Sequence, residues 1–137
     1  MEDLLKIANE LMENDNYKKQ GNFEELPDGT YVCNLDKVEL RESQSGNQYF
    51  SFTNTVVDGE YTERKIFVNM FLTDKTIKRT FSSIMNLISS CGYDLDPSMF
   101  GDYETLESCL QNLVNAQVTI NKKTNGEYIN YHMEGVA

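Results

Sequence analysis

The sequence predicts a mainly β domain with helices: a five-stranded barrel with one helix between the third and fourth strands, and a further helix at the N-terminus. Three observations carry this. Strand-like stretches at 29–42, 48–57 and 60–72 are separated by Ser45-Gly46-Asn47 and Asp58-Gly59. Two more, 116–122 and 127–134, flank Asn125-Gly126. Between the two sets the apolar period becomes helical. Asp-Gly and Asn-Gly supply the positive φ that a tight hairpin turn requires. Three strands, a helix and two strands is the element order of an OB-fold, a small Greek-key barrel that commonly binds oligonucleotides on one face.

Residues 3–14 read as a helix, with Leu4, Leu5, Ala8, Leu11 and Met12 at helical spacing. The polar stretch 15–22 reads as a linker, so residues 1–22 form an arm and 23–137 the barrel domain. Phe23 and Leu26 pin the chain before Pro27-Asp28-Gly29, a turn that launches the first strand. The second helix spans 74–91, with Ile77, Phe81, Ile84, Ile88 and Cys91 as one stripe. Asp74 suits its N-cap and Gly92 its left-handed C′ position. An irregular acidic loop follows at 93–103, then a short helix over about 104–114 carrying Leu106, Leu110 and Leu113. The expected buried set is Tyr31, Cys33, Leu35, Ile77, Phe81, Ile84, Ile88 and Val118.

A chain of 137 residues with a net charge of −10 is the size of one domain with a modest core. The charge is unevenly placed. Residues 1–28 hold eight acids and three bases, and residues 92–111 hold five acids and no base. The strand regions are close to neutral, so a local basic groove is compatible with an acidic whole. No apolar run approaches the roughly 20 residues of a bilayer span, and the N-terminus lacks the pattern of a signal peptide. The reading is a cytoplasmic protein with no membrane partner.

Cys33, Cys91 and Cys109 form no CxxC, and the single His132 has no ligand-spaced neighbour. The cysteines read as free, buried, apolar residues rather than as a disulfide framework or zinc site. Asp94 with Asp96, and Asp102 with Glu104, read as a solvated loop rather than a magnesium site. No GxSxG, P-loop, HExxH or GxGxxG occurs. The expectation is a protein that is not an enzyme and uses no cofactor or metal.

The hairpin 48–72 is the part best suited to recognition. A two-residue turn at Asp58-Gly59 sets Val57 against Glu60. One face then holds Phe50, Phe52, Asn54, Val56, Lys65, Phe67, Asn69 and Phe71. The other holds Tyr49, Ser51, Thr53, Thr55, Arg64, Ile66, Val68 and Met70. Both faces are apolar in the third strand, which is therefore buried on both sides or exposes a sticky face. A one-residue slip exchanges the faces, so either assignment stays open. Bases stack on aromatic rings while phosphates follow basic residues. Lys37 and Arg41 near the end of the first strand, Tyr49 in the second, Arg64 and Lys65 in the third, and Lys122, Lys123 and Tyr128 in the last hairpin are the candidate nucleic-acid contacts. The plain alternative is that these are solvated hairpin residues.

The stretch LPDGTYVCNLDKVELRESQSGNQYFSFTNTVVDGEYTERKIF is similar to the opening of small bacteriophage single-strand DNA-binding proteins of OB-fold type. The LPDGTY lead-in, the SQSGN and VVDGEY turns, the Arg64-Lys65 pair and a helix ending in CGYDL carry the likeness, which covers roughly 23–134. The family often has a glycine before the fourth strand, where this chain has Asn115-Ala116. The resemblance implies sequence-tolerant binding of single-stranded DNA in phage replication or recombination. A different class also fits the charge: an acidic phage-encoded inhibitor of a host nucleic-acid enzyme, either anti-CRISPR-like or a DNA mimic. Its partner would be a host nuclease or replication protein, and the host cytoplasm its location. A third reading is a homodimer formed through the N-terminal helix.

Overall fold

A computed structural model describes residues 26–136. The helix expected at 3–14, the linker 15–22, the Phe23 contact and the dimer they would build lie outside the described residues. Five antiparallel strands form a single sheet: β1 (Gly29–Glu42), β2 (Gln48–Val56), β3 (Lys65–Phe71), β4 (Gln117–Asn125) and β5 (Tyr128–Gly135). Helix α1 (Ile77–Ser90) joins β3 to β4, followed by α2 (Tyr103–Leu110), each of these helices being accompanied by a short 3-10 turn. The expected element order is present. The sheet order is β3-β2-β1-β4-β5, and β3 and β5 are edges rather than partners. The sheet is therefore open and does not close into the expected five-stranded barrel.

β1 organises the sheet. Its first half, Gly29 to Asn34, pairs with β4, and from Cys33 to Glu42 it pairs with β2. A register shift between Leu35 and Lys37 lets the strand bend and change partners. Past β4, the free edge of β1 is completed by α2. Glu107 Oε2 accepts from Leu40 N at 2.6 Å and Gln111 Nε2 donates to Val38 O at 2.8 Å. Buried backbone groups thus find partners without a sixth strand. At the start of β4, Asn115 adopts φ 73°, a left-handed position that Asn tolerates better than most residues. It stands where the resembled family has glycine.

The core lies between one sheet face and the helices. Phe50, Phe52, Leu35, Val118 and Ile120 meet Ile84, Leu87, Leu106 and Leu110, all fully buried. Tyr31, Cys33, Leu35, Ile84, Ile88 and Val118 are buried as expected. Ile77 and Phe81 are only half-buried, because the N-terminal part of α1 overhangs the open side of the sheet. Thr76, not Asp74, occupies the N-cap, and its hydroxyl donates to Phe71 O at 2.8 Å. At the other end Gly92, with φ 92°, closes α1. Gly92 N donates to Ser89 O and Tyr93 N to Ile88 O, the two bonds of a Schellman motif.

The second hairpin departs furthest from expectation. β3 begins at Lys65 rather than at 60, and Thr55, not Val57, marks the end of the regular ladder, opposite Lys65. Residues between 57 and 64 form a wider loop, with Glu63 at φ 75°. Tyr61 packs edge-on against Tyr31 with ring centroids 6.0 Å apart. That contact draws the loop off the two-residue path. The resulting register differs from the expected one by an odd number of residues, which exchanges the faces of β3. Ile66, Val68 and Met70 go inward with Phe50 and Phe52, while Phe67 and Phe71 turn outward.

Candidate nucleic-acid interface

The outward face of β1, β2 and β3 is built in rows. Lys37, Thr53 and Phe67 stand in one row, Glu39, Ser51 and Asn69 in the next, and Arg41, Tyr49 and Phe71 in the third. In the third row the Tyr49 and Phe71 rings lie 4.9 Å apart, tilted by 33°. Phe71 is 37% exposed, a large apolar ring presented to solvent on a sheet edge. Phe67, two rows away, is half-buried.

Cations frame these rings. Lys37 Nζ pairs with Glu39 Oε1, and Arg41 Nε lies 4.0 Å from Glu39 Oε2. Both pairs are solvent-exposed, so they hold little energy and can exchange partners. Lys65 is better fixed. Its Nζ lies 2.7 Å from Thr55 Oγ1 and 3.2 Å from Asp36 Oδ2. Asp36 is the residue pushed outward by the β1 irregularity, and it also accepts from Thr55 Oγ1 and Asn34 Nδ2. Burial pushes the Asp36 carboxyl up, but the hydrogen bonds from Thr55, Asn34 and Lys65 outweigh it and hold the group below the usual carboxylate value.

Of the expected contacts, Lys37, Arg41, Tyr49 and Lys65 share this face. Arg64 closes the β2–β3 loop, half-buried and, by strand alternation, opposite to Lys65. Lys123 and Tyr128 also face outward, near the tip of the β4–β5 hairpin, but β1 and β4 separate them from the aromatic rows. Tyr128 is 74% exposed. Lys122 is a correction. It is 5% exposed and its Nζ donates to Leu26 O. Alternation turns it inward, where it ties the start of the domain to β4. Phe67 and Phe71 do not share a face with Phe50 and Phe52 as a two-residue turn would require, and the row alignment that joins Phe71 to Tyr49 depends on the long loop.

The acids of the segment after α1 have local uses. Asp96 Oδ1 accepts from Ser98 N at 2.9 Å and Asp102 Oδ1 from Thr105 N at 2.7 Å, each capping a helical turn. These bonds hold both carboxyls below their usual value. Among the described residues no group of three or more His, Cys, Asp or Glu side chains is placed to hold a metal, and no helix is long and apolar enough to cross a membrane.

Fold and face together define an open antiparallel β protein with a helix across its seam and an aromatic–basic outer surface. The chain belongs to the family described as Protein of unknown function (DUF669), whose profile matches residues 12–134. No curated protein matches it.

Proposed function

We propose that this protein binds single-stranded DNA, with little regard to sequence, on the outward face of β1, β2 and β3, and that its sheet is an OB-like barrel left open between β3 and β5. The observation that carries the reading is the Tyr49–Phe71 pair, two rings held 4.9 Å apart at the surface with Arg41 in the same row. Every base has a π-face, so stacking on such rings is tolerant of sequence. Lys37, Arg41 and Lys65 are placed to meet the phosphates. Asp36 fixes Lys65 over the face, while the weak exposed pairs with Glu39 leave Lys37 and Arg41 free to exchange a carboxylate for a phosphate. The strand order supports the barrel reading, because pairing β3 with β5 would close the sheet, and OB barrels are commonly part-open. A role in phage replication or recombination follows from the sequence resemblance.

The use of Asp96, Asp102 and Glu107 in caps and in the β1 edge favours this reading over an inhibitor that mimics DNA charge, since those acids serve the fold. The test is fluorescence anisotropy with labelled oligothymidine at several salt concentrations. Binding is expected to weaken with salt and to prefer single strands to duplex. Phe71→Ala is expected to cost about 1–3 kcal/mol of affinity, the worth of one base–aromatic stack. Equal affinity for duplex, or a Phe71→Ala variant that binds like wild type, contradicts the proposal.

A further inference from the structure

Between the edge strands β3 and β5 runs an open groove of about 380 Å³, walled by Asn69 and Phe71 on one side and Asn130 on the other, with the Thr76 cap and Arg79 of α1 at its end. That volume suits a group the size of a nucleotide. Phe71 belongs both to this wall and to the Tyr49 pair on the outward face, so the two surfaces are continuous.

The groove has polar residues at its rim and the free edge of β3 along one wall. Leu72 N donates to Gln48 O directly opposite it, which sets the phase of the ladder. By alternation Phe67, Asn69 and Phe71 turn their N–H and C=O groups away from β2 and toward the seam. The Phe71 carbonyl is taken by the Thr76 and Thr80 hydroxyls, at 2.8 and 2.6 Å. By the same alternation the N–H of Asn69, a residue of the groove wall, faces away from β2.

The charge on α1 is the second, independent observation. Lys75, Lys78 and Arg79 are all exposed around the start of the helix, whose first turn contains no acid, while the exposed Asp74 two residues before the cap offsets one of the three charges. Among the described residues none of the three forms an ion pair, and the Thr76 cap makes no side-chain bond to the helix. Cations at this end oppose the helix dipole, which favours anions there. The sequence thus places positive charge where it opposes the fold, beside a groove that has room for an anion.

We propose that this seam is a second nucleic-acid subsite, in which Arg79 receives a backbone phosphate of a single strand that has passed over Phe71 from the outward face. Lys75 and Lys78 raise the local potential, and Asn69 and Asn130 offer hydrogen bonds to the sugar or base. The subsite rests on the single-strand reading of the outward face and extends it by one wall of the sheet.

The test uses the full chain, its Arg79→Gln and Phe71→Ala variants, and labelled oligothymidines of two lengths, about 6 and about 20 nucleotides. Arg79→Gln is expected to leave the short oligonucleotide within twofold of wild type, because that length is satisfied by the outward face. It is expected to weaken the long one several-fold and to reduce its salt slope by about 0.7, the share of one phosphate on a single strand. Without DNA, Arg79→Gln is expected to raise the melting temperature, since it removes a cation from the positive end of α1. If Phe71→Ala weakens both lengths while Arg79→Gln matches wild type on both, the subsite is wrong and the outward face stands. A fall in melting temperature makes Arg79 a structural residue and overturns the subsite too. If the wild-type chain binds neither oligonucleotide, both proposals fall together.

Discussion

Lys122 and Lys123 are adjacent, yet one is inside and the other outside. Lys122, at 5% exposure, donates its ammonium group to the Leu26 carbonyl. Removing the donor leaves a buried acceptor unmet, which costs about 1–3 kcal/mol. Lys122→Met is therefore expected to lower the urea midpoint of unfolding while leaving oligonucleotide affinity unchanged. A loss of affinity at unchanged stability would return Lys122 to the binding surface. Glu63 offers the opposite sign. It is an L-residue at φ 75° in the β2–β3 loop, a conformation that glycine adopts without a Cβ clash. Glu63→Gly is expected to stabilise the protein by about 0.5–1 kcal/mol, the steric relief less the entropy of glycine. An unchanged or lower urea midpoint would show that the loop does not hold strain there. Cys33 is buried, and burial pushes its thiol up to about 11, so it stays protonated and serves as a small core residue.

At the scale of elements, the ends of α1 tie together the two edges of an open sheet. Thr76 and Thr80 bond the Phe71 carbonyl of β3, and Ser90 Oγ accepts from Gly135 N of β5 at 2.8 Å. The second attachment needs close approach. A Cβ on Gly135 would lie 2.5 Å from Cys91 Sγ and 2.7 Å from Cys91 N. Backbone atoms cannot swing aside as a flexible side chain can, so Gly135→Ala must push β5 away from α1. The expected cost is about 1–3 kcal/mol, as for other overpacked sites. Amide hydrogen exchange is expected to quicken in β5 more than in β2. Uniform loss of protection across the sheet would mean that β5 and α1 do not form a separable attachment.

For the whole molecule, the acid content sets the response to pH. Hydrogen bonds from the Thr124 hydroxyl and N–H hold the Asp28 carboxyl below its usual value, fastening the start of β1 to β4. Asp36, Asp96, Asp102 and Glu134 are lowered as well. A carboxyl lowered by folding binds fewer protons in the native state than in the unfolded chain. Its contribution is complete above the unfolded carboxylate range, about pH 4, and is lost as pH falls through the lower folded values. The urea midpoint is expected to hold steady from neutral pH down to about 5 and then to decline. Thr124→Val is expected to lower it at pH 7 and to shrink that decline. An acid dependence unaltered by Thr124→Val would remove Asp28 from the account.

Local chemistry was sufficient for the elements and poor for their pairing. Asp58-Gly59, Asn125-Gly126 and Gly92 mark their turns because backbone preference acts within a few residues, and the stripe containing Ile84 and Ile88 marks α1 for the same reason. Lys37, Arg41, Tyr49 and Lys65 were legible as strand residues, but their common face was not, because the two-residue turn would set Tyr49 and Lys65 on opposite sides of the hairpin. The partnership of Phe71 with Tyr49 was not legible. It depends on the length of the 57–64 loop, and that length is governed by Tyr61 reaching Tyr31, thirty residues earlier in the chain. Lys122 looked like its neighbour until the fold turned it toward the Leu26 carbonyl. The openness of the sheet was equally hidden, since the gap between β3 and β5 is a relation between strands nearly sixty residues apart. Side-chain alternation and turn geometry are short-range, and they are written in residue order. Register, edge and burial are set by contacts between distant residues, and only the folded chain brings those together.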